Sequence, residues 1–247
     1  MTLATGFEPS VHRERLAKAA RAASERSVDA LLITPSHDYA YLLGYAAPAL
    51  ERLTCLIVPA DGEVVLVLPR LEEPLARHEL GELADEVTLV AWDETDDPIR
   101  LVQAIVAGAR RVAVQDQMWA RFALRLRAAL DPTELVEAGP TMSALRRIKS
   151  SQEIERLRAA AAAADEAMSA IVGERLSGQT ESEVSRNIRE LLLGAGHDEA
   201  GFAIVASGPN AASPHHVAGD RVIEMGDAVV LDIGGTRAGY SSDTSRT

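Results

Sequence analysis

Cysteine is nearly missing from this chain: Cys55 is the single one in 247 residues. One thiol builds no intrachain disulfide framework and no cysteine-based zinc site. Its setting, Thr54-Cys55-Leu56-Ile57-Val58, is that of a buried core thiol. Basic residues are also in deficit, 25 Lys and Arg against 37 Asp and Glu, for a formal net charge of −12. That balance argues against nucleic acid or an anionic membrane as a partner, since either needs a basic face. No uncharged apolar run is long enough to span a bilayer. The N-terminal stretch Gly6-Phe7-Glu8-Pro9-Ser10 is polar, leads into the charged residues 11–15, and lacks the apolar centre of a signal peptide. A reducing cytoplasm is the compartment expected from these absences. No internal repeat or low-complexity tract interrupts the chain, apart from the alanine run at 159–164.

What is present is ordinary for a globular protein: 47% hydrophobic and 25% charged residues. Residues 11–26 read as a helix with Leu16, Ala19 and Ala23 on one face. Ala30-Leu31-Leu32-Ile33 is a short buried strand. Cys55–Val58 and Val64–Leu68 are two more, and the Asp61-Gly62 pair between them is a strong hairpin signal. Helices are expected over 71–81, 98–107 and 118–129, and strands over 87–90, 111–114 and 134–136. Strands alternating with helices imply an α/β domain with a mixed sheet.

Residues 137–149, where Gly139-Pro140 breaks the pattern, read as the domain junction, with one domain over 1–140 and a second over 141–247. Ser150 with Glu153 forms a capping box, and Ile154, Leu157, Ala161, Ala164, Met168 and Ile171 recur at helical spacing behind it. Thr180 with Glu183 forms a second box, followed by Val184, Ile188 and Leu191. Phe202-Ala203-Ile204-Val205 then reads as a strand.

Two stretches carry chemistry. The first is 229–247, an apolar β-branched run that passes through glycines at 234, 235 and 239 into a second short strand. A hairpin turning about Arg237 and Ala238 sets Asp232 directly opposite Asp243, with their Cβ atoms roughly 4.5–5.5 Å apart. Two carboxylates held so close lose hydration and repel. One of them stays protonated, or a cation sits between them. Oxygen ligands suit Mn, Mg, Co or Zn. The second stretch is 207–216, Ser-Gly-Pro-Asn-Ala-Ala-Ser-Pro-His-His. Its small, turn-forming residues present His215 and His216. Neighbouring side chains of an extended segment point to opposite faces, so one of the two faces a given site.

Leu231-Asp232-Ile233-Gly234-Gly235, followed by Gly239-Tyr240-Ser241-Ser242-Asp243-Thr244-Ser245-Arg246-Thr247, resembles the signature of the pita-bread metallopeptidases. These are the Xaa-Pro aminopeptidases, the prolidases and, more distantly, the methionine aminopeptidases. The Gly208-Pro209-Asn210 … Pro214-His215 pattern is similar to the same family. So is the stretch Arg146-Arg147-Ile148-Lys149-Ser150 … Glu153 with the alanine-rich helix behind it. The preceding domain resembles the family's N-terminal domain more loosely. The resemblance implies a creatinase-like α/β domain with a mixed sheet, followed by the first half of an α+β pita-bread catalytic domain. It implies two divalent metal ions, Mn first and Co or Zn as alternatives, ligated by Asp232 and Asp243, with the second bridging them. His215 corresponds to a pocket-lining catalytic histidine that hydrogen-bonds substrate or the tetrahedral intermediate, with His216 the second candidate for substrate binding. The implied reaction is hydrolysis beside proline by a two-metal-activated water, on a dipeptide or longer peptide with proline second, in a homodimer.

The family's remaining ligands, a histidine and two glutamates, lie downstream of the second aspartate, and the sequence runs four residues past Asp243. The expectation is therefore an incomplete record of a longer enzyme, and a chain inactive by itself. Two alternatives share the fold: a non-catalytic peptide- or protein-binding member, and a creatinase-like C–N hydrolase that works without metal. Retention of both aspartates counts against the latter.

Overall fold

The computed structural model describes residues 6–247, which form two compact units divided after Ile148. The first unit runs α1 (Pro9–Glu25), β1 (Ala30–Ile33), α2 (His37–Leu43), β2 (Cys55–Pro59), β3 (Val64–Pro69), α3 (Glu73–Leu80), β4 (Val87–Trp92), α4 (Pro98–Ile105), β5 (Arg111–Val114), α5 (Ala120–Ala129), β6 (Glu134–Glu137) and α6 (Gly139–Arg147). Its six strands form one mixed sheet in the order β4-β3-β2-β1-β5-β6. The β2–β3 hairpin is antiparallel, while β3–β4, β1–β5 and β5–β6 are parallel.

Strand alternation divides the core in two. Leu31, Ile33, Leu56, Val58, Leu66 and Leu68 pack with α1, α2 and α3. Leu32, Cys55, Ile57, Val65 and Val67 point the other way, against α4 and α5. Cys55 is fully buried, and burial pushes its thiol up to about 12. Trp92 is buried with its indole N–H donating to the Leu53 carbonyl, whereas Trp119 is 43% exposed. The aromatic stretch 39–45 is a short helix capped by Ser36, with Gly44 in the left-handed conformation at its end. The division between units falls after Ile148, inside the expected junction at 137–149. Gly139-Pro140 opens a helix here, and Met142 of that helix is buried in the first unit's core. Pro at the start of a helix loses no hydrogen bond.

The second unit runs α7 (Ser151–Val172), α8 (Glu181–Gly194), β7 (Glu199–Ser207), β8 (Val229–Arg237), β9 (Tyr240–Ser241) and β10 (Thr244–Arg246). Both capping boxes form. The buried stripe of α7 is Glu153, Ala160, Ala163, Ala164, Ala167, Met168 and Ile171; Ile154 and Ala161, expected on it, are exposed. A run of alanines offers no contrast between faces, so it hides where the stripe lies. The sheet order is β10-β8-β7, with β9 also on β8, and all pairs are antiparallel. Ala203, Val205, Leu231 and Ile233 form the core with Met168, Ile171, Val184 and Ile188. Residues of opposite parity, including Asp232, therefore lie on the other face of the sheet. Among the described residues, no helix is long and apolar enough to cross a membrane.

Candidate functional site

The hairpin that carries the two aspartates turns one residue later than the sequence suggests. Arg237 pairs with Tyr240, so Ala238 and Gly239 form the two-residue loop, with φ of 49° and 78°. Positive φ at both positions defines the hairpin turn that matches strand twist. Gly239 adopts it without strain, and Ala238 is held there by its amide donating 2.5 Å to Asp198. This shift changes the partner of Asp232. Ser245 lies directly opposite it and donates 3.1 Å from Oγ to Asp232 Oδ1. Asp243 sits in the break between β9 and β10. The register on either side of the break is the same, and Ser242 N donates to Gly235 O across it. Asp243 thus falls opposite Gly234, diagonal to Asp232 on the same sheet face, and the expected direct opposition is corrected. Diagonal neighbours are further apart than direct ones, with Cα atoms ~7–8 Å apart, still within reach of a shared ion. Asp232 is half-buried and Asp243 is exposed.

The break is held from below. His197 is buried; its Nδ1 donates 3.1 Å to the Leu192 carbonyl, leaving Nε2 to face Ser242 Oγ at 2.8 Å. Ser242 also accepts from Gly235 N at 3.3 Å. Tyr240 donates 3.0 Å to Glu153, the buried capping glutamate of α7. The residue before Asp243 and the residue after the turn are thus both tied to the helices.

The histidine segment leaves the end of β7 through a short 3-10 turn, Gly208–Ala212. The two histidines part company there. His215 is exposed, and its imidazole has no hydrogen-bond partner among the described residues. His216 is turned inward and donates 2.7 Å from Nε2 to Glu181 Oε2. Glu181 is fully buried at the first position of α8. Its carboxylate also accepts from Ser207 N at 2.8 Å, Ser207 Oγ at 2.7 Å and both ways from Asn210 at 3.1 and 3.2 Å. Arg221 approaches the same Ser207 hydroxyl at 2.6 Å and pairs with Asp227 at 2.6 and 3.1 Å.

Burial alone raises the Glu181 carboxyl, but the hydrogen bonds from Ser207, His216 and Asn210 outweigh it and bring it from 4.5 down to about 2. The titratable and charged groups around it are His216, Arg221 and Asp227. The folded state therefore holds Glu181 ionised where the unfolded chain protonates it. The resulting stabilisation is complete above about pH 4.5 and is lost as pH falls toward about 2. Denaturation midpoints followed through this range should fall more steeply for the natural chain than for Glu181→Gln; identical slopes would refute the assignment.

The metal question turns on donor chemistry. Asp232 and Asp243 offer hard oxygen donors on one face, which suits a divalent cation in kind. They do not suffice in number: among the described residues no group of three or more His, Cys, Asp or Glu is arranged to hold a metal ion. Glu181 was invisible to sequence reasoning, which used Thr180 and Glu183 for the cap and left the acid between them unassigned. Its partners lie 26 to 38 positions away, and local pattern carries no trace of such a contact.

This arrangement, a creatinase-like mixed sheet followed by helices and a hairpin that carries two aspartates, defines a class. The model of the creatinase/prolidase N-terminal domain matches residues 15–148, more than half of the chain, and the model of metallopeptidase family M24 matches 155–247. The chain belongs to this family of pita-bread metallopeptidases. It is 41% identical over 244 residues to the probable dipeptidase PepE of Mycobacterium tuberculosis (strain ATCC 25618 / H37Rv), covering 98% of this chain and 64% of that one. Among solved structures it matches dipeptidase PepE from Mycobacterium ulcerans with a TM-score of 0.90 at 39% identity, covering 97% of this chain and 65% of that one. It matches a prolidase from Thermococcus sibiricus with a TM-score of 0.84 at 28% identity, covering 95% and 64%. The chain thus spans just under two thirds of the length of these relatives.

Proposed function

We propose that this chain carries the N-terminal domain and the first two metal-binding carboxylates of a metal-dependent exopeptidase acting on peptides with proline second. The observation that carries the reading is the register of the β8 hairpin, by which Asp243 falls opposite Gly234 and so diagonal to Asp232. The relatives support it: their names describe dipeptidases and prolidases. In this reading Asp232, oriented by Ser245, and Asp243 hold part of a pair of divalent ions, Mn foremost and Co or Zn as alternatives. Bound ions of this kind lower the pKa of water and polarise a scissile carbonyl.

The rest falls to the chain's own residues. His215, exposed and with no partner to displace among the described residues, is the group that donates to a developing oxyanion. His216 is engaged with Glu181 and stays with the scaffold, which leaves His215, the first of the two candidates, for substrate. A homodimer in a reducing cytoplasm completes the proposal.

The test uses the natural full-length protein, stripped with chelator and resupplied with Mn, Co or Zn in turn. The expected result is metal-restored release of the residue preceding proline from an Xaa-Pro dipeptide or a longer peptide. Cleavage that persists in chelator, or none with any of the three metals, overturns the reading.

A further inference from the structure

The histidine segment is tied to the protein in two ways. Its downstream part is docked by backbone: Glu181 N donates to Arg221 O, Ser182 N to Gly219 O, and Ser182 Oγ to the carbonyls of Ala218 and Gly219. The part that presents His215 has another anchor. Between Gly208, whose amide donates to Ala228 O, and Ala218, the described hydrogen bonds to the rest of the unit run to one carboxylate. Asn210 Nδ2 reaches it from five residues before His215, and His216 Nε2 from one residue after. The intervening bonds, Ser213 N to Asn210 O and His216 N to Ser213 O, are internal to the segment.

We propose that Glu181 is the positioning residue for His215: by gripping Asn210 and His216 on either side, it fixes the turn that presents the His215 imidazole outward. The proposal rests on the peptidase reading for the role of His215. Several features set Glu181 apart from an ordinary helix-start acid. It is fully buried, and Thr180 and Glu183 already perform the capping of α8. Every described hydrogen bond to its carboxylate comes from residues 207–219. A buried carboxylate with all its lone pairs engaged is a scaffold and has no capacity left for substrate. Fixing His216 inward also accounts for why two adjacent histidines have different exposures.

The variant Glu181→Gln has the same shape. Its amide oxygen still accepts from Ser207 and Asn210, but its NH2, a donor only, accepts from neither His216 nor Gly219. In the full-length protein it should lower kcat/KM for an Xaa-Pro dipeptide by at least about tenfold, with metal content unchanged. The deciding measurement is a double-mutant cycle with His215→Ala, a residue Glu181 does not touch. In that background Glu181→Gln should cost less than about twofold, because the group it positions is gone. Losses that multiply independently would overturn the proposal, as would a Glu181→Gln variant of natural activity.

Amide exchange supplies a readout that does not need catalysis. Amides of residues 208–217 should exchange at least about tenfold faster in Glu181→Gln while those of β7 and β8 keep their protection. Unchanged protection there refutes the positioning role even if the protein proves to have no peptidase activity, whereas loss of protection with an inactive natural protein indicts only the peptidase reading. Should Glu181→Gln fail to fold, Asn210→Ala and His216→Gln each remove one tie from the loop side and are held to the same two outcomes.

Discussion

Asp243→Ala in the full-length protein is expected to reduce metal-dependent hydrolysis by roughly three orders of magnitude or to background, because it removes a carboxylate from the face proposed to hold the ions and with it the means of activating water. Asp243 is the cleaner of the two aspartates to remove. It is exposed, and its side chain makes no hydrogen bond among the described residues, whereas Asp232 accepts from Ser245. Stability measured in chelator should therefore stay within about 0.5 kcal/mol of the natural protein. Any small change should be a gain, since like charges near one another on a sheet face repel. In the presence of metal the comparison reverses. The natural protein gains stability by binding an ion that the unfolded chain does not hold, and the variant gains less. Metal content by elemental analysis, rate, and unfolding midpoint with and without metal decide the matter together. Natural metal content and rate in the variant would sink the assignment of Asp243.

That prediction depends on the register of one hairpin, and the hairpin shows where sequence reading succeeds and stops. The pairing of an apolar strand with a short return strand through glycines was legible from residues 229–247, because burial and turn chemistry are local properties. The register was not. Centring the turn on Arg237 and Ala238 needs positive φ at a residue with no means of stabilising it. Centring it on Ala238 and Gly239 uses a glycine, and the Asp198 carboxylate meets the remaining amide. Gly239 was the available clue; Asp198, forty positions earlier, was not readable as its partner. A one-residue move of the turn exchanged the partner of Asp232 from Asp243 to Ser245, yet kept both acids on one face because the shift preserves parity.

The first unit was legible for the same reason as the strands of the hairpin: Asp61-Gly62 between apolar runs and helices alternating with strands gave the mixed sheet of the creatinase-like domain. The contacts that escaped are long-range and polar. Glu181 with residues 207–219 and His197 with Ser242 each join a helix end to a loop or strand break through side chains whose spacing follows no period.

Gly234→Ala is expected to be among the most destabilising single-methyl additions in the second unit. A Cβ at 234 would stand 2.3 Å from the Ser242 carbonyl oxygen and 2.6 Å from the Phe202 ring. The oxygen is main chain, so it cannot rotate away, and the β8 strand must separate from the segment carrying Asp243. Overpacking of this kind costs about 3 kcal/mol. The expected readout is a lower denaturant midpoint at constant m-value, because the unfolded chain differs by one methyl only. Gly194→Ala is the control. Gly194 closes α8 with nothing within 4 Å of a new Cβ and without a positive φ. There alanine reduces the freedom of the unfolded chain and adds helix propensity, stabilising by about 0.5–1 kcal/mol. The same chemical change thus carries opposite signs at two glycines, and a Gly234→Ala midpoint equal to the natural one would mean that the strands flanking the aspartates are not packed this closely. If they are, the variant also moves Asp243 relative to Asp232. Its metal affinity should then fall further than its loss of stability accounts for, at a position whose own side chain ligates nothing.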